Sequence, residues 1–261
     1  MANNRPIGIF DSGVGGLSVL LEIKKLLPKE SFVFLADQKH NPYGVKTKKQ
    51  LQNLSVRITK FLSKYHIKLL VIACNTATCY VLAHLRKKFD IPIIGVVPAI
   101  KPAAQKTKNK KIAVMSTPAT ARSSYLSSLI AQHARGNKVL KVGCHKLEES
   151  IEYLDTKKIS KLLDIYSKKI KDFKADVIVL GCTHFPFIKR EIRKRVSSSV
   201  EIIDSGEAIA SRVNFILKST QELSSIKLKD IYYTTGLDLE KFSKVAQALL
   251  KYKITAQKAI I

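Results

Sequence analysis

Nine short runs of mostly apolar residues, many of them β-branched and all but two uninterrupted by a charge, punctuate this chain, at 7–10, 32–36, 69–73, 93–97, 112–115, 139–142, 177–181, 200–203 and 231–233. Between them apolar positions recur at three- and four-residue spacing with polar residues opposite. That spacing predicts helices over 16–27, 48–65, 76–89, 119–133, 159–173, 187–196, 207–217 and 239–249. A strand without polar alternation is buried on both faces. Such strands, alternating with helices, make parallel sheets covered on each side. The predicted class is α/β.

Two of the runs end alike. Leu69-Leu70-Val71-Ile72 leads into Ala73-Cys74-Asn75-Thr76, and Val177-Ile178-Val179-Leu180 leads into Gly181-Cys182-Thr183-His184. A second phrase, Phe10-Asp11-Ser12-Gly13, returns as Ile203-Asp204-Ser205-Gly206. The doubling predicts two pseudo-symmetric lobes, each a mostly parallel sheet flanked by helices. Residues 1–97 with a returning tail 207–261 form one, and residues 98–206 the other. Open α/β sheets bind ligands beyond the carboxyl ends of their strands. The expected active site is therefore a cleft between the lobes, with one cysteine from each.

Both cysteines precede hydroxyl or amide residues suited to capping a helix. Helix N-terminal amides stabilise a thiolate and also bind carboxylates, so thiol and anion site are expected together. Cys79 and Cys144 lack this setting and read as structural. No C-x-x-C or H-x-x-x-H spacing occurs, so no zinc site is expected. The glycines at 13, 15 and 16 miss the dinucleotide spacing and no Walker lysine follows; the turn reads instead as a holder of a small anion. Asn41-Pro42-Tyr43-Gly44 is a turn beyond the second strand, which brings Tyr43 within reach of the same site. His184, two residues past Cys182, is suited to tuning a thiol or relaying a proton.

Composition changes this picture little. No apolar run approaches the length of a membrane span. The polar start leads directly into a strand, so no signal peptide is expected. Four cysteines in strand- and helix-like contexts read as reduced thiols of a cytoplasmic protein. The net charge of +26 comes mostly from lysines spread along the whole chain, without a nucleic-acid-binding signature. It reads as solvated helix faces that attract an anionic substrate, with nucleic acid bound only weakly and non-specifically.

Taken in order, FDSGVGG (10–16), PYG (42–44), ACNTA (73–77) and GCTHFP (181–186) resemble the glutamate racemases of the aspartate/glutamate racemase superfamily. The resemblance implies interconversion of L- and D-glutamate without a cofactor or metal, supplying D-glutamate for peptidoglycan, by an enzyme expected to be a homodimer. It implies Cys74 and Cys182 as the two proton donors and acceptors, with Asp11 and His184 setting which thiol is ionised. Asp11, Ser12, Tyr43, Gly44, Asn75, Thr76, Thr183 and His184 would line the substrate. Thr117 and Thr120 would touch its carboxylate, although Ala119 stands where the family usually has Gly. Glu152 would support one thiol; the family glutamate at this place follows a Val-Pro pair, whereas here the stretch reads Leu147-Glu148-Glu149-Ser150-Ile151. The histidine after the second Cys-Thr favours glutamate. The competing readings are an aspartate or broad amino-acid racemase and, in another class, a nucleic-acid- or gyrase-associated binding protein. Paired cysteines favour the enzyme, because a binding module has no need of two.

Overall fold

The computed structural model describes residues 2–261. In chain order the first elements are β1 (Ile7–Asp11), α1 (Leu17–Leu26), β2 (Phe32–Ala36), α2 (Lys48–Ser63), β3 (Leu69–Ile72), α3 (Asn75–Lys88) and β4 (Ile93–Gly95). The middle of the chain carries α4 (Ile100–Lys106), β5 (Lys111–Ser116), α5 (Pro118–Arg122), α6 (Ser124–His133), β6 (Lys138–Gly143), α7 (Leu147–Glu152), α8 (Thr156–Phe173), β7 (Val177–Gly181), α9 (Lys189–Arg193) and β8 (Glu201–Ile203). It closes with α10 (Gly206–Ser219), β9 (Ile231–Thr234), α11 (Leu239–Leu250) and β10 (Ala256–Lys258). The described residues divide into two units. One runs to Val96 and resumes over Gly206–Ile261; the other is Val97–Ser205.

The first unit holds a six-stranded sheet in the order β10-β9-β2-β1-β3-β4, and the second a four-stranded sheet in the order β6-β5-β7-β8. Every pairing is parallel. In each, the chain steps from a central strand to one neighbour and then returns to the other side of that strand. The switch points therefore fall between β1 and β3 and between β5 and β7, where ligand sites of open sheets form. This register corrects one sequence expectation. The second Asp-Ser-Gly phrase follows the edge strand β8, so the topological counterpart of Asp11 is the end of β5 at Thr117, not Asp204.

Two-sided burial explains the apolar runs. Ala113 and Met115 of β5 and Ile178 and Leu180 of β7 pack under Ile159, Leu163, Tyr166 and Ile170 of α8. Their alternate neighbours Ile112, Val114, Val177 and Val179 pack on Ile100, Ala103 and Leu126. In the first unit Phe10, Leu70 and Ile72 meet Leu51, Ile58 and Leu62 of α2 and Val81 and Leu85 of α3. Helix α2 starts at a capping box: the Thr47 hydroxyl accepts from Gln50 N, and the Gln50 side chain accepts from Thr47 N. The buried Lys68 ammonium pairs with Glu30 at 2.7 Å and donates to the carbonyls of Asn3 and Glu222, which ties the start of β3 to the returning tail.

Several helices differ from the sequence expectation. Positions 119–133 hold two helices, because Ser123 is extended (φ −66°, ψ 141°) and its hydroxyl caps α6 at Leu126 N. The stretch expected as a helix over 187–196 is a 3-10 turn, Phe185–Ile188, followed by the five-residue α9; Pro186 occupies the turn's opening. Helices α4 and α7 and the edge strand β10 were not expected. Among the described residues no helix is long and apolar enough to cross a membrane.

Candidate active site

In the first unit Cys74 follows β3 and is the N-cap of α3, its Sγ accepting from Ala77 N at 3.4 Å. Fourteen residues of aligned peptide dipoles thus begin at this sulfur, an arrangement that favours negative charge on it. Across the switch point Asp11 ends β1, fully buried. Its Oδ1 accepts from Gly13 N at 2.9 Å and from the Ser12 hydroxyl at 3.2 Å, and Ser12 Oγ lies 3.7 Å from Cys74 Sγ. Gly16 is required here: a Cβ on it would fall 2.6 Å from Asp11 Cβ. The Tyr43 hydroxyl donates to Asp37 Oδ2 at 2.7 Å, while Asp37 Oδ1 accepts from Thr235 Oγ1 and meets His40 Nδ1, both at 2.7 Å. Burial, then the charge and hydrogen bond of Asp37, then the charges of Cys74 and Asp11 hold the Tyr43 phenol well above its usual range, so it remains a donor. Asn75 and Thr76 are buried in the first turn of α3, with Asn75 Nδ2 donating to Val96 O at 3.4 Å. Gly44 lies in the short 3-10 turn Tyr43–Val45.

In the second unit Cys182 follows β7, also buried, but no long helix starts there. Its surroundings come from side chains instead. His184 Nδ1 is 3.7 Å from Cys182 Sγ, and His184 Nε2 is 2.7 Å from Glu152 Oε1, with both partners of that pair buried. Burial works against an imidazolium at His184. The contacts with Cys182 and Glu152 outweigh it and hold the ring well above its ordinary value of 6.5. Burial likewise pushes the Cys182 thiol up; His184 opposes this, and the carboxylate of Glu148 adds to it. Thr117 caps α5, its Oγ1 accepting from Thr120 N at 3.2 Å and donating to Thr120 Oγ1 at 3.1 Å. Thr183 is buried beside Cys182 in sequence.

The sequence-predicted residues thus fall into two groups, each gathered at a switch point: Asp11, Ser12, Tyr43, Gly44, Asn75, Thr76 and Cys74 in one unit, and Thr117, Thr120, Glu152, Cys182, Thr183 and His184 in the other. Asp204 stands apart, ion-paired to Lys189 at 3.2 Å, and Ser205 donates to Val97 O. Burial pushes the Cys144 thiol up, and it donates to Val142 O, as suits a structural cysteine. Two residues escaped sequence reasoning. Asp37 carries the same signal as Asp11, an acid closing a buried strand. Glu148, whose Oε2 lies 4.0 Å from Cys182 Sγ, sits on a helix that the hydrophobic pattern does not reveal. No group of three or more His, Cys, Asp or Glu among the described residues is placed to hold a metal ion. Chemically, each half offers a sulfur able to take or give a proton, next to groups that bias its charge.

Residues 22–213 match the family described as Asp/Glu/Hydantoin racemase. A glutamate racemase of Pseudomonas syringae pv. tomato is 39% identical over 243 residues, 92% of this chain and 88% of that protein. The structure of a glutamate racemase isoform from Bacillus anthracis superposes with a TM-score of 0.89 at 32% identity, covering 99% of this chain and 98% of that one. The Escherichia coli glutamate racemase, solved with L-glutamate and the activator UDP-MurNAc-ala, superposes with a TM-score of 0.85 at 33% identity, covering 97% of each chain.

Proposed function

This chain belongs to the Asp/Glu/Hydantoin racemase family, and on that premise we propose that it interconverts L- and D-glutamate, with Cys74 and Cys182 as the two proton-transfer groups. It is an amino-acid racemase, an isomerase. The observation that carries the two-thiol reading is that each sulfur ends a strand at a switch point beside its own acid–base partner, Asp11 through Ser12 for Cys74 and His184 with Glu152 for Cys182.

Racemisation removes the α-proton from one face of the amino acid and delivers a proton to the other. Two bases do this without turning the intermediate over. Cys74 takes the proton of D-glutamate and Cys182 that of L-glutamate; the opposite thiol returns one in each direction. The α-proton is a very weak acid and a free thiol has a pKa of about 8.5, so abstraction depends on stabilising the charge that develops on the α-carboxylate. Ser12, Asn75, Thr76, Thr117, Thr120 and Thr183 supply hydroxyl and amide donors for the substrate's charged ends, and Tyr43 and Gly44 complete its lining. A protonated His184 hydrogen-bonds the Cys182 thiolate and lets it form despite burial. The pair of thiols supplies both proton transfers without an electron sink. We further propose a cytoplasmic homodimer that feeds D-glutamate to peptidoglycan and touches nucleic acid only weakly and non-specifically.

The test is chiral chromatography of L-glutamate and L-aspartate after incubation with metal-stripped protein and no added cofactor. Glutamate should racemise and aspartate should lag behind it. Activity that returns only with an added cofactor or metal, or aspartate turning over faster, contradicts this reading.

A further inference from the structure

The short helix α7 carries two carboxylates on one face. Glu148 and Glu152 are four residues apart and so lie one above the other, while Glu149 points elsewhere and is exposed. The two reach opposite ends of one pair: Glu152 Oε1 is 2.7 Å from His184 Nε2, and Glu148 Oε2 is 4.0 Å from Cys182 Sγ, the sulfur that His184 Nδ1 approaches at 3.7 Å. Their effects on the sulfur have opposite sign. Glu152 favours an imidazolium and through it a thiolate, whereas a carboxylate next to the sulfur repels a thiolate and accepts from a thiol.

We propose that Glu148 is a further catalytic residue of the Cys182 half: its carboxylate accepts the S–H of Cys182 and keeps that sulfur as the proton donor of the resting enzyme. This rests on the two-thiol reading above. In the D-to-L direction it implies, Cys74 takes the α-proton of D-glutamate, and Cys182 passes its own to the opposite face and becomes a thiolate held by His184; L-glutamate is turned over by the reverse of this exchange. The resting state is restored when Cys74 loses a proton to solvent and Cys182 regains one. Glu148 drives that last step, because it destabilises the Cys182 thiolate. The other titratable groups near this sulfur do not take that part. Cys144, at the end of β6, is itself kept neutral by burial, Lys169 of α8 acts on Cys144, and the Tyr166 hydroxyl of α8 donates to His145 O. The direction in which Glu148 moves the Cys182 thiol, upward, agrees.

The test is the pH dependence of Cys182 alkylation by iodoacetamide, followed on the Cys182 peptide by mass spectrometry, in the full-length protein without substrate. In Glu148→Gln the midpoint should fall by about one pH unit, so that alkylation below the midpoint becomes about tenfold faster. In Glu149→Gln it should stay where it is, and in Glu152→Gln it should rise. A merely structural Glu148 would alter the plateau rate and leave the midpoint in place. Should the Gln variant fold poorly, Glu148→Val must show the same downward shift. A midpoint that stays or rises in the folded Glu148 variants overturns the proposal. Since no amino acid is present, a failed glutamate assay beside a clear shift would reject the substrate and not the role of Glu148.

Discussion

Cys74 and Cys182 end topologically equivalent strands, yet their sulfurs are served by different devices. Cys74 caps a fourteen-residue helix and stands 3.7 Å from a serine hydroxyl that leans on a buried aspartate. Cys182 is followed by a 3-10 turn and a five-residue helix, and its partners are an imidazole backed by Glu152 and a second carboxylate, Glu148. The repeat in the backbone therefore sets where a thiol goes, while its charge is biased by the helix dipole at Cys74 and by side chains at Cys182. Backbone dipoles are fixed and respond little to pH. A His–Glu pair titrates. The two halves should consequently fail in different ways when perturbed.

The largest effect expected is shared. Cys74→Ser and Cys182→Ser should each lower kcat by about 10²- to 10⁴-fold, since a hydroxyl is a far weaker acid than a thiol, with circular dichroism unchanged. Full activity in either variant would reduce the pair to a single base and end the comparison.

The halves separate at the next level. Glu152→Gln leaves the buried His184 without its charged partner and should cost about 10- to 100-fold in kcat, the equivalent of one charge-assisted hydrogen bond. It should also change how stability depends on pH. The folded His184 value lies above 6.5, so the stabilisation it contributes is fully present below about pH 6.5 and is lost as pH rises through the raised folded value. Thermal midpoints measured across that window should show this decline in the wild-type protein and a weaker one in the Glu152→Gln variant, whose His184 keeps its contact with Cys182. An identical pH profile in both proteins would place the titrating group elsewhere.

A smaller effect belongs to the Cys74 half alone. Tyr43→Phe removes one donor from the buried Asp37 carboxylate and should lower stability by about 1–3 kcal/mol in urea denaturation. The pH midpoint of Cys182 alkylation should not move. If it does, the two thiols share an electrostatic environment that this description keeps separate.

Much of this arrangement is legible in the sequence because buried parallel strands leave an unmistakable trace. The runs at 7–10, 69–72 and 177–181 are apolar on both faces, and the residues just past them are those the sheets present at their switch points. Helix α7 left no such trace. It is six residues long and begins after a left-handed Lys146, without a side-chain cap, and its polar face is turned to a thiol. Strand β10 is an edge of three residues, two of them exposed, which no hydrophobic pattern marks. The break at Ser123 depends on a hydroxyl competing for the backbone within a run that is otherwise periodic. The doubled Asp-Ser-Gly phrase misled because identical words stand at unlike strands: Asp11 closes a central strand and is wholly buried, whereas Asp204 follows an edge strand and pairs with Lys189.

The central claim is that two separate thiols move the proton, and solvent labelling tests it most directly. In heavy water, starting from L-glutamate, the first D-glutamate formed should carry deuterium at the α-carbon, while the L-glutamate that remains stays mostly protiated. That is the outcome when Cys182 removes the proton and a solvent-equilibrated Cys74 delivers another. Early D-glutamate that retains the original proton would show a single base serving both faces and would contradict the assignment of Cys74 and Cys182.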